Sequence, residues 1–191
     1  MFVIRAEWRA KGLHQYLDHL KAPRLNQALS KAVNDTARQV ERTAEKMVAA
    51  RLSLQAKRVR KGVYILPHST PKTLRAIIRG SNSEVPLKVF RAKEVPSGTV
   101  ATIWGKKQFH PDAFIFGGKV GDRKDISMGD NVFVRKGKAR LPIQKAKGAS
   151  IGQAMNEGAV SNAIERNADK MLTANVLRQL ERYTRKARGK F

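Results

Sequence analysis

The sequence of 191 residues contains no cysteine. This absence excludes disulfide bridges and zinc sites with thiolate ligands, and it is compatible with the reducing environment of a cytosol. Acidic residues are also scarce: 15 Asp and Glu stand against 39 Lys and Arg, which gives a formal net charge of +24. Because such a chain repels itself, an anionic partner is expected, with nucleic acid as the first candidate and an acidic protein surface as the second.

Aromatic residues and long apolar runs are also in short supply. Phe, Trp and Tyr make up only 6% of the residues, so base stacking is not indicated and any contact with nucleic acid is expected to be independent of base sequence. No apolar run approaches the length of a membrane span. The start of the chain, MFVIRAEWR, lacks the charge arrangement of a signal peptide. We therefore expect a protein that is made and used inside a cell, without a membrane partner.

Two long stretches have the apolar spacing of amphipathic helices. In the first, residues 24–54, apolar side chains recur every three or four positions and neither Gly nor Pro occurs. The second lies within residues 150–187 and opens with the sequence SIGQ. Ser150 and Gln153 have the spacing of a capping box, in which each side chain bonds the backbone N–H of the other residue, so a short helix is predicted to begin here. Gly158 is expected to kink or end that short helix before a longer one.

The middle of the chain, residues 63–143, predicts short strands. Six segments are rich in β-branched or aromatic residues, and turn residues bound most of them. These segments are VYILPH, TLRAIIRG, VPLKVF, GTVATIW, AFIF and NVFVRK. The segment RKGKAR, residues 135–140, predicts a hairpin turn around Gly137. Nearer the start, residues 2–9 predict a further strand and residues 12–21 a helix.

This layout predicts the fold class. It is α+β, with an antiparallel sheet of about five to six short strands packed by a long N-terminal helix and a long C-terminal helix. No internal repeat and no linker divides the chain, so residues 1–191 are predicted to form a single domain. Within it lie the long helix at 24–54, the β-rich region at 63–143, and the C-terminal helices with the basic tail at 150–187.

The segment QFHPDAFIFGG contains a histidine and an aspartate that could form a catalytic pair. His110 could act as a base and Asp112 as the carboxylate that orients it. Such a pair needs a nucleophile or a metal ion, and no motif for either lies nearby. Pro111 fixes φ and Asp112 can bond local backbone amides, so His-Pro-Asp is predicted to be a turn that leads into the next strand. No catalytic, metal-binding or cofactor-binding residue is therefore assigned.

Two basic segments are the candidate contacts to DNA or to an acidic partner. The first is KRVRK, residues 57–61, and the second is RYTRKARGKF at the end of the chain. Either segment taken alone could be an ordinary solvated helix end, but the overall excess of positive charge favours an anionic partner. The residues assigned are Lys57, Arg58, Arg60, Lys61, Arg182, Arg185, Lys186, Arg188 and Lys190.

A glycine-rich charged loop, GGKVGDRKDISMGD, follows the segment AFIF. It contains neither the P-loop pattern nor a dinucleotide-binding pattern that opens a helix, so nucleotide binding is not indicated. A loop at an assembly interface is the more natural interpretation. The residues assigned to this subunit interface are Gly117, Gly118, Lys119, Arg123 and Lys124.

Two longer stretches carry motifs in a characteristic order. Residues 77–94 read IIRGSNSEVPLKVFRAKE, and residues 112–155 run from DAFIFGG through VFVRKGKARLPI to GASIGQ at the start of a helix. This order resembles the phage minor tail protein Z family, over roughly residues 25–185. Where that family often has Gly-Pro-Ser, this chain has Gly-Ala-Ser at residues 148–150, which keeps the capping serine.

The resemblance implies a virion structural protein and not an enzyme. Proteins of this family are tail-completion proteins of lambda-like phages and prophages, which act at the head-proximal neck and are linked to placing the DNA end. The resemblance further implies a homo-oligomeric ring, a hexamer by analogy, and no cofactor. Its implied partners are the tail terminator or tail-tube protein, the head-completion or connector proteins, and the backbone of genomic DNA. The implied location is the virion, after assembly in the host cytoplasm.

The positive charge by itself leaves an alternative function open. A chain with a net charge of +24 could be a sequence-independent nucleic-acid-binding protein that acts free of any particle.

Overall fold

The computed structural model describes residues 2–5, 22–115 and 131–188 of the chain. In these ranges the α-helices are α1 (Ala22–Leu52), α2 (Ala56–Arg60), α3 (Ile151–Met155) and α4 (Gly158–Arg188). A 3-10 helix spans Leu87–Phe90. The strands are β1 (Phe2–Arg5), β2 (Val63–Ile65), β3 (Arg75–Gly80), β4 (Glu84–Pro86), β5 (Lys93–Val95), β6 (Gly98–Ile103), β7 (Lys106–Pro111), β8 (Phe114–Ile115), β9 (Val132–Arg135), β10 (Ile143–Lys145) and β11 (Lys147–Ser150).

The predicted α+β fold, with a long N-terminal and a long C-terminal helix, is confirmed. The described strands pair antiparallel and lie in small sheets ordered β1-β3-β2, β5-β6-β7, β10-β9-β8 and β11-β4. The β-structure is therefore divided among several small sheets, where the sequence predicted one sheet of five to six strands. The predicted helix at residues 12–21 lies outside the described residues.

Helix α1 has a buried stripe that consists mostly of small apolar residues. Alanine has the highest helix propensity, and its small side chain lets neighbouring elements approach closely. The helix ends at Leu52, after which Ser53 adopts a left-handed φ of 57°. The Leu54 N–H donates to the Ala49 carbonyl at 2.9 Å. The buried stripe, none of it more than 1% exposed, consists of Ala28, Ala32, Val33, Ala37, Val40, Ala44 and Val48.

The chain folds as two compact units. Unit 1 comprises Met1–Glu45, Val63–Gly80 and Asn156–Phe191, and unit 2 comprises Lys46–Gly62 and Ser81–Met155. The prediction of a single domain over residues 1–191 stays a prediction.

In unit 1, which also contains the sheet β1-β3-β2, helices α1 and α4 pack on each other. Polar side chains lie within this helix pair. The Asn175 amide donates to Thr36 Oγ1 and to Gln39 Oε1, both at 3.0 Å, and the Gln179 amide donates to Asp35 Oδ2 at 2.9 Å. The apolar part of the contact consists of Ala32, Val176 and Leu180, bordered by Leu25, Leu29 and Leu172.

In unit 2, the core includes Leu87 and Phe90, which are fully buried. Because a 3-10 helix has about three residues per turn, these two side chains lie on the same face of it. The segment VPLKVF was predicted as a strand, and this prediction is wrong beyond Pro86. A short apolar run does not distinguish a strand from a helical turn, and the two buried residues three positions apart select the turn.

The tripeptide His110-Pro111-Asp112 also departs from its prediction. Strands β6 and β7 pair along their whole length, as far as Gly98 opposite Pro111. His110 and Pro111 therefore belong to a strand, and only Asp112, with a left-handed φ of 58°, turns the chain. The strand was not predicted because its first four residues are all exposed, which leaves no alternation of apolar and polar side chains.

A two-residue turn joins β6 to β7. Trp104 and Gly105 have φ values of 56° and 71°, as a type I′ turn requires. A left-handed conformation is unfavourable for a residue as bulky as tryptophan. Arg51 at the end of α1 holds it: its Nη1 donates to the Trp104 carbonyl at 3.2 Å, and its guanidinium carbon lies 5.2 Å from the centre of the Trp104 ring.

The predicted capping box at the start of α3 is confirmed. Ser150 Oγ accepts from the Gln153 N–H at 3.1 Å, and Gln153 Oε1 accepts from the Ser150 N–H at 3.0 Å. Helix α3 ends at Met155, and Gly158 is the first residue of α4 rather than the end of α3. The Ser161 N–H donates to the Glu157 carbonyl at 2.8 Å, which is the hydrogen bond of a first helical turn, so Gly158 lies within the first turn of α4.

Candidate basic interface

The first candidate segment lies on α2, in unit 2. The helix contains Val59, which is fully buried, between basic residues that are all exposed. One apolar side chain thus anchors a five-residue helix, while the charged side chains remain accessible to a partner. The helix closes with a bond from the Gly62 N–H to the Val59 carbonyl at 2.8 Å. We call the exposed residues of this segment the basic turn: Lys57, Arg58, Arg60 and Lys61.

Gly62 holds the basic turn close to the start of α3. A Cβ atom at Gly62 would overlap Cδ1 of the buried Ile151, which shows how closely the backbone lies against that side chain. The Gly62 carbonyl accepts from the Ser81 N–H at 2.7 Å, and the Ser81 carbonyl accepts from the Gly152 N–H at 2.8 Å. The basic turn is therefore fixed by backbone hydrogen bonds and a buried contact, and its charges sit on a rigid support.

The second candidate segment lies at the end of α4, in unit 1. Arg182 and Arg185 are exposed on this helix. Lys186 and Arg188 belong to α4 by their backbone, but their side chains lie outside what the structure describes. Lys190 lies outside the described residues. The sequence prediction for this segment thus stays a prediction, with two accessible cations to support it.

The predicted subunit-interface loop belongs to a part of the chain that the structure does not describe. Residues 116–130 are outside the described ranges, and its assigned residues fall within them. They are Gly117, Gly118, Lys119, Arg123 and Lys124.

His110 and Asp112 do not assemble with other chemically active groups in the described residues. His110 lies on β7 opposite Thr99, and its Nε2 is buried without a hydrogen-bond partner in that part of the chain. Thr99 donates to the Ala113 carbonyl at 2.9 Å, a bond that fixes the chain after the turn at Asp112. Across residues 2–5, 22–115 and 131–188, no group of three His, Asp or Glu side chains is placed to hold a metal ion.

A further exposed basic segment was predicted only as a turn. Residues 136–142 connect β9 to β10, which pair with Arg135 opposite Ile143, so the predicted hairpin is confirmed. The sequence does show this cluster, because RKGKAR contains four basic residues within six positions. The prediction of a turn assigned no binding role to them. We call the exposed cations of this segment the basic hairpin loop: Arg135, Lys136, Lys138 and Arg140.

The fold and the surface define a class of protein, namely an α+β protein with two long helices and several exposed clusters of Lys and Arg. The family model described as prophage minor tail protein Z (GPZ) matches residues 10–186. The chain belongs to this family, as the order of its motifs implied. No curated protein and no solved structure gives a significant match.

Membership of this family assigns a structural role in a phage tail, and therefore in the virion. The family consists of tail proteins rather than enzymes, so the prediction that this chain is not an enzyme is confirmed. None of the described helices is both long and apolar enough to cross a membrane.

Proposed function

We propose that this tail protein is a tail-completion protein at the head-proximal end of the tail, where it is needed for joining the tail to a DNA-filled head. The observation that carries the proposal is the family match over residues 10–186. The motif order supports it, because β9, the hairpin and the capped helix α3 follow one another as the motif sequence requires.

We further propose that the protein forms a homo-oligomeric ring of six copies in the neck of the particle, after assembly in the host cytoplasm. Tails and necks are built from cyclic rings, so a protein in this position meets copies of itself as well as its neighbours. Its partners are the tail terminator or tail-tube protein on one side and the head-completion or connector proteins on the other. The proposed contact between subunits is made by residues of the glycine-rich loop, namely Gly117, Gly118, Lys119, Arg123 and Lys124.

A contact with the backbone of genomic DNA completes the proposal. Duplex DNA carries one negative charge per roughly 1.7 Å of its axis, so it attracts clusters of cations without any reading of bases. The basic turn supplies four exposed cations on a rigid support, and the end of α4 supplies Arg182 and Arg185. These charges suit a protein that holds the DNA end in position regardless of its sequence.

Deletion of the gene tests this function. In an inducible phage or prophage that encodes the chain, the deletion is expected to leave heads and tails that form but do not join, with a large loss of infectious particles. A plasmid copy of the wild-type gene should restore the titre, which controls for effects on neighbouring genes. Normal infectivity without the protein would contradict the proposal.

The second candidate, a free sequence-independent nucleic-acid-binding protein, is favoured by the net charge of +24. It predicts tight binding to duplex DNA with a log–log salt slope of about −7, if roughly eight phosphates are neutralised. The two candidates differ in where the protein is found. Sedimentation of an induced lysate should place a tail-completion protein with tails and particles, and a free DNA-binding protein with unpackaged DNA.

A further inference from the structure

The positive charge is distributed unevenly between the two units. The described residues of unit 2 include 17 Lys and Arg against three Asp and Glu. Those of unit 1 include 15 against seven. Unit 2 therefore carries the larger unbalanced charge, and a polyanion that relieves it is expected to lie against this unit.

The basic hairpin loop lies in a stretch of unit 2 that has no acidic residue to compensate its charge. From Val132 to Met155 the chain contains no Asp or Glu. Among the described residues, no carboxylate lies within ion-pair distance of Lys136, Lys138 or Arg140, whereas Lys147 lies 3.7 Å from Glu84. A Cβ at Gly137 would meet no atom within 4 Å, so the tip of the loop is open.

Two hydrogen bonds also tie the ends of the loop together. The Lys136 N–H donates to the Pro142 carbonyl at 3.1 Å, and Arg135 Nη1 donates to the Arg140 carbonyl at 2.9 Å. The Arg135 guanidinium carbon lies 5.2 Å from the centre of the Phe114 ring. Arg135 thus braces the loop. Because these bonds already restrain the backbone, the loop loses less conformational freedom when a ligand binds its remaining three cations than a flexible tail would.

From these observations we propose that Lys136, Lys138 and Arg140 form a second phosphate-binding segment, which contacts the DNA backbone together with the basic turn of the same unit. This inference rests on the proposed DNA contact and adds a site to it. Duplex DNA is favoured over an acidic protein surface because its regularly spaced phosphates match several cations with no acidic residue among them. The exposed Leu141 beside them makes an acidic protein surface the alternative that the test must exclude.

The test compares the wild-type protein, the triple variant K136Q/K138Q/R140Q and a control variant R166Q/K170Q/R178Q. The control removes the same charge from exposed positions of α4, in unit 1. Binding to a 5′-labelled duplex of random sequence is followed by fluorescence anisotropy between about 50 and 300 mM NaCl, the range in which counterion release dominates. Thermal melting by circular dichroism establishes that each variant is folded.

The triple variant is expected to flatten the log–log salt slope by about two to three and to bind at least about tenfold more weakly at low salt, since each phosphate contact contributes about 0.9 to the slope. The control should flatten it by less than about one. An unchanged slope in the triple variant, with normal wild-type binding, overturns the inference but leaves the DNA contact of the basic turn intact. Weak, salt-insensitive binding by the wild type overturns both. Normal DNA binding with loss of incorporation into tails would assign the loop to an acidic protein partner and also overturn the inference.

Discussion

At the scale of single residues, the close approach of strands β6 and β7 depends on a glycine. Gly98 begins their pairing opposite Pro111, and a Cβ at this position would overlap the carbonyl oxygen of His110. A backbone atom in a paired strand cannot move aside as the end of a flexible side chain can. Any side chain at Gly98 is therefore expected to destabilise the fold, and Gly137, at the open tip of the basic hairpin loop, provides the contrast.

Substitution of Gly98 by alanine is expected to lower the free energy of unfolding by about 1–3 kcal/mol, because the added carbon forces the strands apart. The matched variant Gly137→Ala should stay within about 0.5 kcal/mol of the wild type, since nothing surrounds its tip. Urea titrations followed by the fluorescence of Trp104, in a W8F background, report on unit 2. Equal effects of the two substitutions would show that the approach of β6 and β7 is not tight.

The basic turn could be predicted from the sequence only in part. Four cations within five residues are visible in the sequence, and all four are exposed. The support beneath them was not predictable, because Gly62 and Ile151 are distant in sequence and meet only through the tertiary fold. The local sequence shows where the charged residues are. The contact that holds their backbone in place depends on tertiary packing.

At the scale of elements, the sequence predicted best where the determining interactions are local. The two long helices and the capping box at α3 follow from spacings of three and four residues, and the structure confirms them. Strand β7 and the 3-10 helix Leu87–Phe90 were missed. The first is exposed over most of its length, and the second is too short for its period to be read, so neither has a pattern of its own.

Substitution of Ser150 by alanine is expected to cost about 1 kcal/mol of stability, because the Gln153 N–H in a buried helix start loses its acceptor. Ser97→Ala serves as the control, since Ser97 is exposed and should change stability by no more than about 0.5 kcal/mol. The midpoint of urea unfolding is the measurement. A Ser150 variant as stable as its control would show that the capping box contributes little.

The hydrogen bonds of Asn175 between α1 and α4 are expected to stabilise the fold. Asn175→Ala should lower the free energy of unfolding by about 1–2 kcal/mol, because it removes the donor shared by Thr36 and Gln39 in a mostly buried interface. Thr173→Ala, on the exposed side of the same helix, should be nearly neutral. Helical circular dichroism during urea unfolding follows both. No difference between the two variants would mean that the hydrogen bonds of Asn175 contribute little to the contact between the helices.

At the scale of the whole molecule, positive charge and family membership lead to one account. A tail protein with a net charge of +24 has an excess of cations, which the proposed contact with DNA would neutralise. The fold class and the family could be predicted from the sequence because both depend on the order of elements and motifs. The hydrogen bonds that restrain the basic turn and the basic hairpin loop emerge only from the three-dimensional structure.

Removal of the positive charges of the basic turn tests the proposed contact with DNA. The variant K57Q/R58Q/R60Q/K61Q is expected to flatten the salt slope of duplex binding by about three to four, in proportion to the phosphates released. The control K31Q/R42Q/R166Q/K170Q removes the same charge from exposed positions of unit 1 and should flatten it less. Equal slopes for the two variants would mean that the binding depends on total charge rather than on this segment.

The position of the protein in an intact particle would show whether it lies at the head-proximal end of the tail. Cryo-electron microscopy of purified particles, with a small tagged domain fused to this chain, would locate it and count its copies. We predict extra density in a symmetric ring at the head-proximal end of the tail, around the path of the DNA. Density at the distal tip of the tail, or particles that lack the chain altogether, would contradict it.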